Sequence, residues 1–133
     1  MKHEVSCGTI TIHDGKVLLI KQNHGHIGFP KGHVEENESE IETAIRETKE
    51  ETNIDVEVLE DYKYFINYNV NNKINKDVIF YLAKPVSFDA RKQDIEVAEV
   101  MWVDIDKVND LLTFDDTKEI FIQVLNDLKN IKL

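Results

Sequence analysis

Gly32-His33-Val34-Glu35-Glu36-Asn37-Glu38-Ser39-Glu40-Ile41-Glu42-Thr43-Ala44-Ile45-Arg46-Glu47-Thr48-Lys49-Glu50-Glu51-Thr52-Asn53-Ile54 is the stretch that decides how this chain folds. Ser39 with Glu42 three residues on is a capping box, in which two side chains each satisfy a backbone N–H left open at a helix start. A helix therefore opens there and runs through about Thr52. Ile41, Ala44, Ile45 and Thr48, at i, i+3, i+4 and i+7, predict its buried stripe. Asn53 stands where a left-handed residue ends a helix, a conformation Asn tolerates better than most. At ~100° per residue, Glu47, Glu50 and Glu51 share one face, roughly opposite that stripe. Like charges stacked this way repel, and they crowd the helix end that disfavours anions. Three such glutamates alone are most often a solvated acidic face. The sharper reading is a set of hard oxygen donors for a divalent cation.

On either side of this helix the chain alternates strand and turn signals. Residues 5–12 and 16–21 read as strands joined at His13-Asp14-Gly15, a hairpin signal. Residues 23–33, with Gly25, Gly28, Pro30 and Gly32, carry the densest loop signal. Residues 54–59, 62–68 and 78–82 read as strands, the last two separated by a polar loop over 69–77, and 100–103 as a short strand. A second amphipathic helix over about 116–129 turns Ile120, Phe121, Val124, Leu125 and Leu128 inward. This order predicts an α/β domain over residues 1–133, a mixed sheet covered by helices.

Sixteen basic against 26 acidic residues give a net charge of −10. Such a surface repels nucleic-acid backbones and anionic lipid, so broad nucleic-acid binding and membrane attachment are not expected. Met1-Lys2-His3-Glu4 precedes no apolar run of signal-peptide length, and no stretch is apolar enough to span a bilayer. The single cysteine, Cys7, lies in an apolar strand and reads as a small buried hydrophobe in a reducing cytoplasm. His24 and His26 straddle Gly25, but no further soft ligand lies nearby, so no zinc site is assigned.

The spacing Gly32-x5-Glu38-x7-Arg46-Glu47-x-x-Glu50-Glu51 matches the Nudix box, G-x5-E-x7-R-E-U-x-E-E-x-G-U with U aliphatic, and the chain resembles the Nudix hydrolases. Thr48 departs at the first aliphatic position and Asn53 at the glycine; neither is a ligand position, so they put local stability in question rather than chemistry. The resemblance implies an α/β/α sandwich and magnesium, with manganese a possible substitute. It makes Glu47, Glu50 and Glu51 the metal carboxylates and the Gly32 carbonyl a further ligand. Glu38 and Arg46 become an ion pair orienting the helix; the planar fork of arginine suits bidentate carboxylate binding.

Further segments resemble one branch of that family, the asymmetric diadenosine tetraphosphate hydrolases. They are Gly28 through Glu35, Ile45-Arg46-Glu47-Thr48, Asn67-Tyr68, Lys76 through Ala83, and Glu96 six residues before Trp102. This implies phosphate-facing Lys31 and His33, a base-stacking Tyr68, a phosphate-binding Lys76 and an extra catalytic glutamate, Glu96. The substrate expected is a small nucleotide, diadenosine tetraphosphate cut to ATP and AMP. A 5′-end RNA pyrophosphohydrolase, an ADP-ribose or nucleoside triphosphate pyrophosphohydrolase and a catalytically silent nucleotide sensor are the alternatives. The negative surface disfavours the first, and the intact glutamates disfavour the last.

Overall fold

In the computed structural model, residues 1–131 are described. β1 (Lys2–His13), rich in Val, Ile and Thr, turns through Asp14 and Gly15, both at positive φ (52° and 74°), into β2 (Lys16–Gln22). Two φ-positive residues are what a tight hairpin requires. The segment 23–33, a loop by its composition, contains two short strands, β3 (Ile27–Gly28) and β4 (Lys31–His33). Neighbours create them: β3 pairs with β2, and β4 lies antiparallel to β1 with Cys7 opposite Gly32 and Gly8 opposite Lys31. A Cβ on Gly8 would stand 2.0 Å from the Pro30 carbonyl, so only glycine lets the two backbones approach here.

After α1 (Glu40–Thr52) come β5 (Val56–Val70), β6 (Ile74–Pro85) and β7 (Val97–Asp104), then a single 3-10 turn (Ile105–Lys107), α2 (Val108–Leu111) and α3 (Asp115–Leu128). The sheet runs β3-β2-β1-β6-β5, with β4 on β1 and β7 on β2. β1 and β6 are parallel from Lys2 opposite Ile74 to Thr11 opposite Ala83; β5 and β6 are antiparallel, so the sheet is mixed as expected.

α1 covers one face through Ala44, against Cys7, Ile79 and Tyr81. α3 covers the other through Ile120, Phe121 and Val124, against Ile10, Phe80 and Leu82. Burying a side chain such as Phe121 contributes about 1.5–3 kcal/mol, and the two covered faces make the α/β/α sandwich. Cys7 is a core residue as expected, and burial pushes its thiol up to about 12.

The two strands read at 54–59 and 62–68 are one strand, β5, bulged between Leu59 and Lys63. A bulge keeps a strand paired while it bends, which a polar pair such as Glu60-Asp61 disguises in sequence. The polar loop over 69–77 shrinks to a turn at Val70–Lys73, closed by the Lys73 N–H on the Val70 carbonyl at 3.0 Å, with Asn71 and Asn72 at φ 51° and 57°. Tyr68 and Lys76 are therefore both strand residues. They face each other across the β5–β6 ladder.

Candidate active site

α1 is fixed at both ends by the side chains that its sequence advertises. Ser39 Oγ accepts the Glu42 N–H at 3.1 Å and Glu42 Oε1 accepts the Ser39 N–H at 3.0 Å. At the other end Asn53 is left-handed (φ 64°) and donates its N–H to the Lys49 carbonyl at 2.9 Å. The Asn53 amide donates to the Asp89 carbonyl at 2.9 Å, a bond glycine cannot make. Thr48, fully buried, is not left without partners. Its hydroxyl donates to the Ala44 carbonyl at 2.8 Å and meets Thr9 Oγ1 at 2.8 Å, and Thr9 in turn meets Thr11 Oγ1 at 2.8 Å. Both departures from the box pattern are thus compensated locally.

Arg46 organises the acidic face. Its Nε and Nη2 donate to Glu38 at 2.6 and 3.0 Å, and Nη2 also donates to the His33 carbonyl at 3.0 Å. Nη1 reaches Glu47 at 2.8 Å and both oxygens of Glu50 at 3.2 Å. The guanidinium thus offsets the repulsion among the glutamates and ties α1 to β4. The Arg46 fork, and after it the Thr43 hydroxyl, hold Glu38 down at about 2 against an ordinary 4.5. A depressed carboxylate stabilises the fold above its unfolded value and loses that contribution as pH falls through its folded one. Glu38→Gln is accordingly expected to melt below the wild type at pH 7, with the gap closing as pH falls from about 4.5 to about 2. Melting curves across that range check it; a gap that does not change with pH would refute the pairing.

The three box glutamates differ more than their shared face implies. Glu50 is exposed, whereas Glu51 is 7% exposed and lies at the inner edge of α1 beside buried Thr48 and Thr52. Glu51 Oε1 accepts the Lys31 N–H at 2.8 Å. Burial, reinforced by Glu47 and Asp94, pushes its carboxyl up to about 8, even though the Lys31 N–H acts in the opposite direction. Burial also raises Glu47, against the pull of Arg46. A Cβ on Gly32 would stand 2.1 Å from Glu47 Cδ, so the bare backbone of β4 gives Glu47 its place.

Beside α1 opens a cavity of about 360 Å³ that collects Lys31, Gly32, His33, Glu47, Glu50, Glu51, Lys76 and Glu96. These come from β4, α1, β6 and the segment leading into β7. Glu38 and Arg46 stand behind it as the bracing pair. Tyr68 lies in an adjoining, apolar cavity of about 300 Å³ with Ile66, Val78, Phe80, Phe114, Asp116 and Thr117, and Lys31 lines both. Burial, then the nearby Lys76, lowers the pKa of Lys31. Burial, then Asp116 and Glu4, raises that of Tyr68.

Sequence reading misses Asp94 and Gln22 in the polar cavity and Phe114 and Asp116 in the apolar one. An aromatic residue at a helix start (Phe114) and an acid two residues before Glu96 (Asp94) were the signals available. His24 and His26 meet edge to face at 4.2 Å, and His26 meets Phe114 at 4.8 Å, an aromatic run along the rim. Among the described residues no three of His, Cys, Asp or Glu converge closely enough to hold an ion as they stand, with Arg46 bonded to both Glu47 and Glu50.

A helix of carboxylates braced by Arg46 and laid across one face of a mixed sheet fits one class of hydrolase. The chain belongs to the Nudix family, matching the NUDIX domain over residues 2–125. It is a Nudix hydrolase, a class that uses divalent metal ions and acts on small nucleotide substrates. It is 36% identical over 107 residues to the asymmetrical bis(5′-nucleosyl)-tetraphosphatase of Rattus norvegicus, covering 76% of this chain and 72% of that protein. The enzyme of the same description from Sus scrofa is 35% identical over 109 residues, covering 77% and 74%. Among solved structures, a C. elegans Ap4A hydrolase binary complex superposes with a TM-score of 0.84 at 25% identity, covering 96% of this chain and 99% of that one. No helix among the described residues is long and apolar enough to cross a membrane.

Proposed function

We propose that this enzyme hydrolyses dinucleoside polyphosphates with magnesium, and that diadenosine tetraphosphate is cut to ATP and AMP. The observation that carries this reading is the junction of two cavities at Lys31: one lined by carboxylates and cations, the other by Tyr68, Phe114 and apolar side chains. That pairing suits a polyphosphate attached to a base.

The donor set is all oxygen, the chemistry that hard divalent cations favour, so magnesium, or manganese in its place, fits. Glu47, Glu50, Glu51, Glu96 and the Gly32 carbonyl would hold it, the first two exchanging bonds with Arg46. Bound magnesium supplies charge neutralisation at the phosphate oxygens and a more acidic water. Lys31 and Lys76 offset the remaining phosphate charge, and His33 lends a hydrogen bond. Tyr68 and Phe114 hold the base, which fixes one phosphorus at the carboxylates. A box glutamate or Glu96 takes the proton of the attacking water. The buried, unpaired Cys7 suits a reducing cytoplasm.

The test is a panel of diadenosine tetraphosphate, nucleoside triphosphates, ADP-ribose and 5′-triphosphate RNA, assayed with magnesium and resolved by chromatography. ATP plus AMP from the dinucleotide is the expected result. Two ADP, or faster turnover of RNA or ADP-ribose, would displace this reading.

A further inference from the structure

Glu96 sits just before β7, on a segment with little packing of its own: the preceding Ile95 is 91% exposed. What fixes this segment is polar. Asn23, in the turn after β2, donates its side-chain amide to the Ile95 carbonyl at 2.6 Å and its backbone N–H to the Glu96 carbonyl at 2.9 Å. Asp94 Oδ1 accepts the Glu96 N–H at 2.8 Å. On the far side, Gln93 Nε2 donates to the Lys49 carbonyl of α1 at 2.9 Å. The peptide groups on both sides of Glu96 are therefore held, and Asn23 makes two of the bonds.

We propose that Asn23 is a positioning residue: its amide clamps the Ile95–Glu96 backbone so that the Glu96 carboxylate stays on the wall of the polar cavity facing the box glutamates. This rests on the reading above that Glu96 takes part in the reaction. A glutamate has three rotatable side-chain bonds, and a backbone free to shift adds to that freedom. Misplacement by about 1 Å is enough to cost up to about 100-fold in rate.

The experiment compares Asn23→Ala, Glu96→Gln and the double variant on diadenosine tetraphosphate with magnesium. It also follows amide hydrogen exchange in the metal-free protein. Asn23→Ala is expected to lower kcat about 10–100-fold with KM within about twofold, because positioning acts in the transition state. Added to Glu96→Gln it should lower kcat no further, since the clamp has no effect once the Glu96 charge it positions is gone. Without metal, the Glu96 amide should exchange at least about 10-fold faster in Asn23→Ala, with the α1 amides unchanged. Should that variant lose its fold, Asn23→Asp, of the same size but without the amide donor, carries the same expectations. Losses that multiply in the double variant, or unchanged exchange at Glu96, would overturn the inference. A Glu96→Gln enzyme with full turnover would instead overturn the role of Glu96 itself, and the inference with it.

Discussion

Glu51→Gln is expected to lose at least ~100-fold in turnover, about 2.7 kcal/mol of transition-state stabilisation, while keeping its fold. The substitution preserves the volume and an oxygen that can accept the Lys31 N–H, now at 2.8 Å. It removes the charge of the most buried of the three box glutamates. Stability should move the other way. A carboxyl raised from 4.5 to about 8 favours the fold while protonated and stops doing so as pH rises through that interval. In chelator-treated protein, Glu51→Gln should therefore melt above the wild type at pH 8–9 and close to it near pH 4. Steady-state kinetics with magnesium, and melting curves with chelator, measure the two effects separately. Near-normal magnesium-dependent turnover in this variant would end the assignment of Glu51 to the metal site.

Tyr68→Ala is expected to weaken binding of diadenosine tetraphosphate by roughly 5–150-fold, since one base stack contributes about 1–3 kcal/mol. The ring is 36% exposed and lines the apolar cavity next to the cations, so it has a free face for a base. Lys76, opposite Tyr68 in the ladder, should show a different signature. Lys76→Met keeps the stem and deletes the charge, so it should hurt the tetraphosphate more than shorter, less charged nucleotides. KM and kcat for diadenosine tetraphosphate and ATP, measured on both variants, check this. A Tyr68→Ala enzyme with unaltered kinetics would remove the stacking role and leave the hydrolase intact.

What can be read from sequence here is whatever local chemistry decides. The α1 caps and the left-handed Asn53 depend on residues within a few turns of one another, and the structure has each of them; the pairing of Arg46 with Glu38, which the family resemblance implies, is present as well. The β5–β6 hairpin is harder to see because its outward face is polar. Asn67 donates to Asn75 at 3.0 Å and to Asp77 at 2.7 Å, so residues that look like loop are cross-strand partners. Burial of Glu51 is also invisible in a helical wheel, which places it with Glu47 and Glu50 but knows nothing of β4. Phe114 reaches the site because Thr113 and Ile27 exchange hydrogen bonds of 2.8 and 3.1 Å across a gap of many residues, and no pattern in the sequence records that contact.

The threonine hydroxyls under α1 bear on how far this sequence can be moved toward its family's consensus. Each hydroxyl has one proton to give. Because Thr48 gives its own to Ala44, the proton between Thr9 and Thr48 must come from Thr9, and the one between Thr11 and Thr9 from Thr11. The three side chains form a one-way series that ends on a helix carbonyl. An aliphatic residue at 48 alone would remove one partner of the Thr9 hydroxyl and leave one proton of the buried Thr9–Thr11 pair without its acceptor in the series, at about 1–3 kcal/mol. The substitution that a family average recommends is therefore uphill in this background, and positions 9, 11 and 48 are interchangeable only as a set.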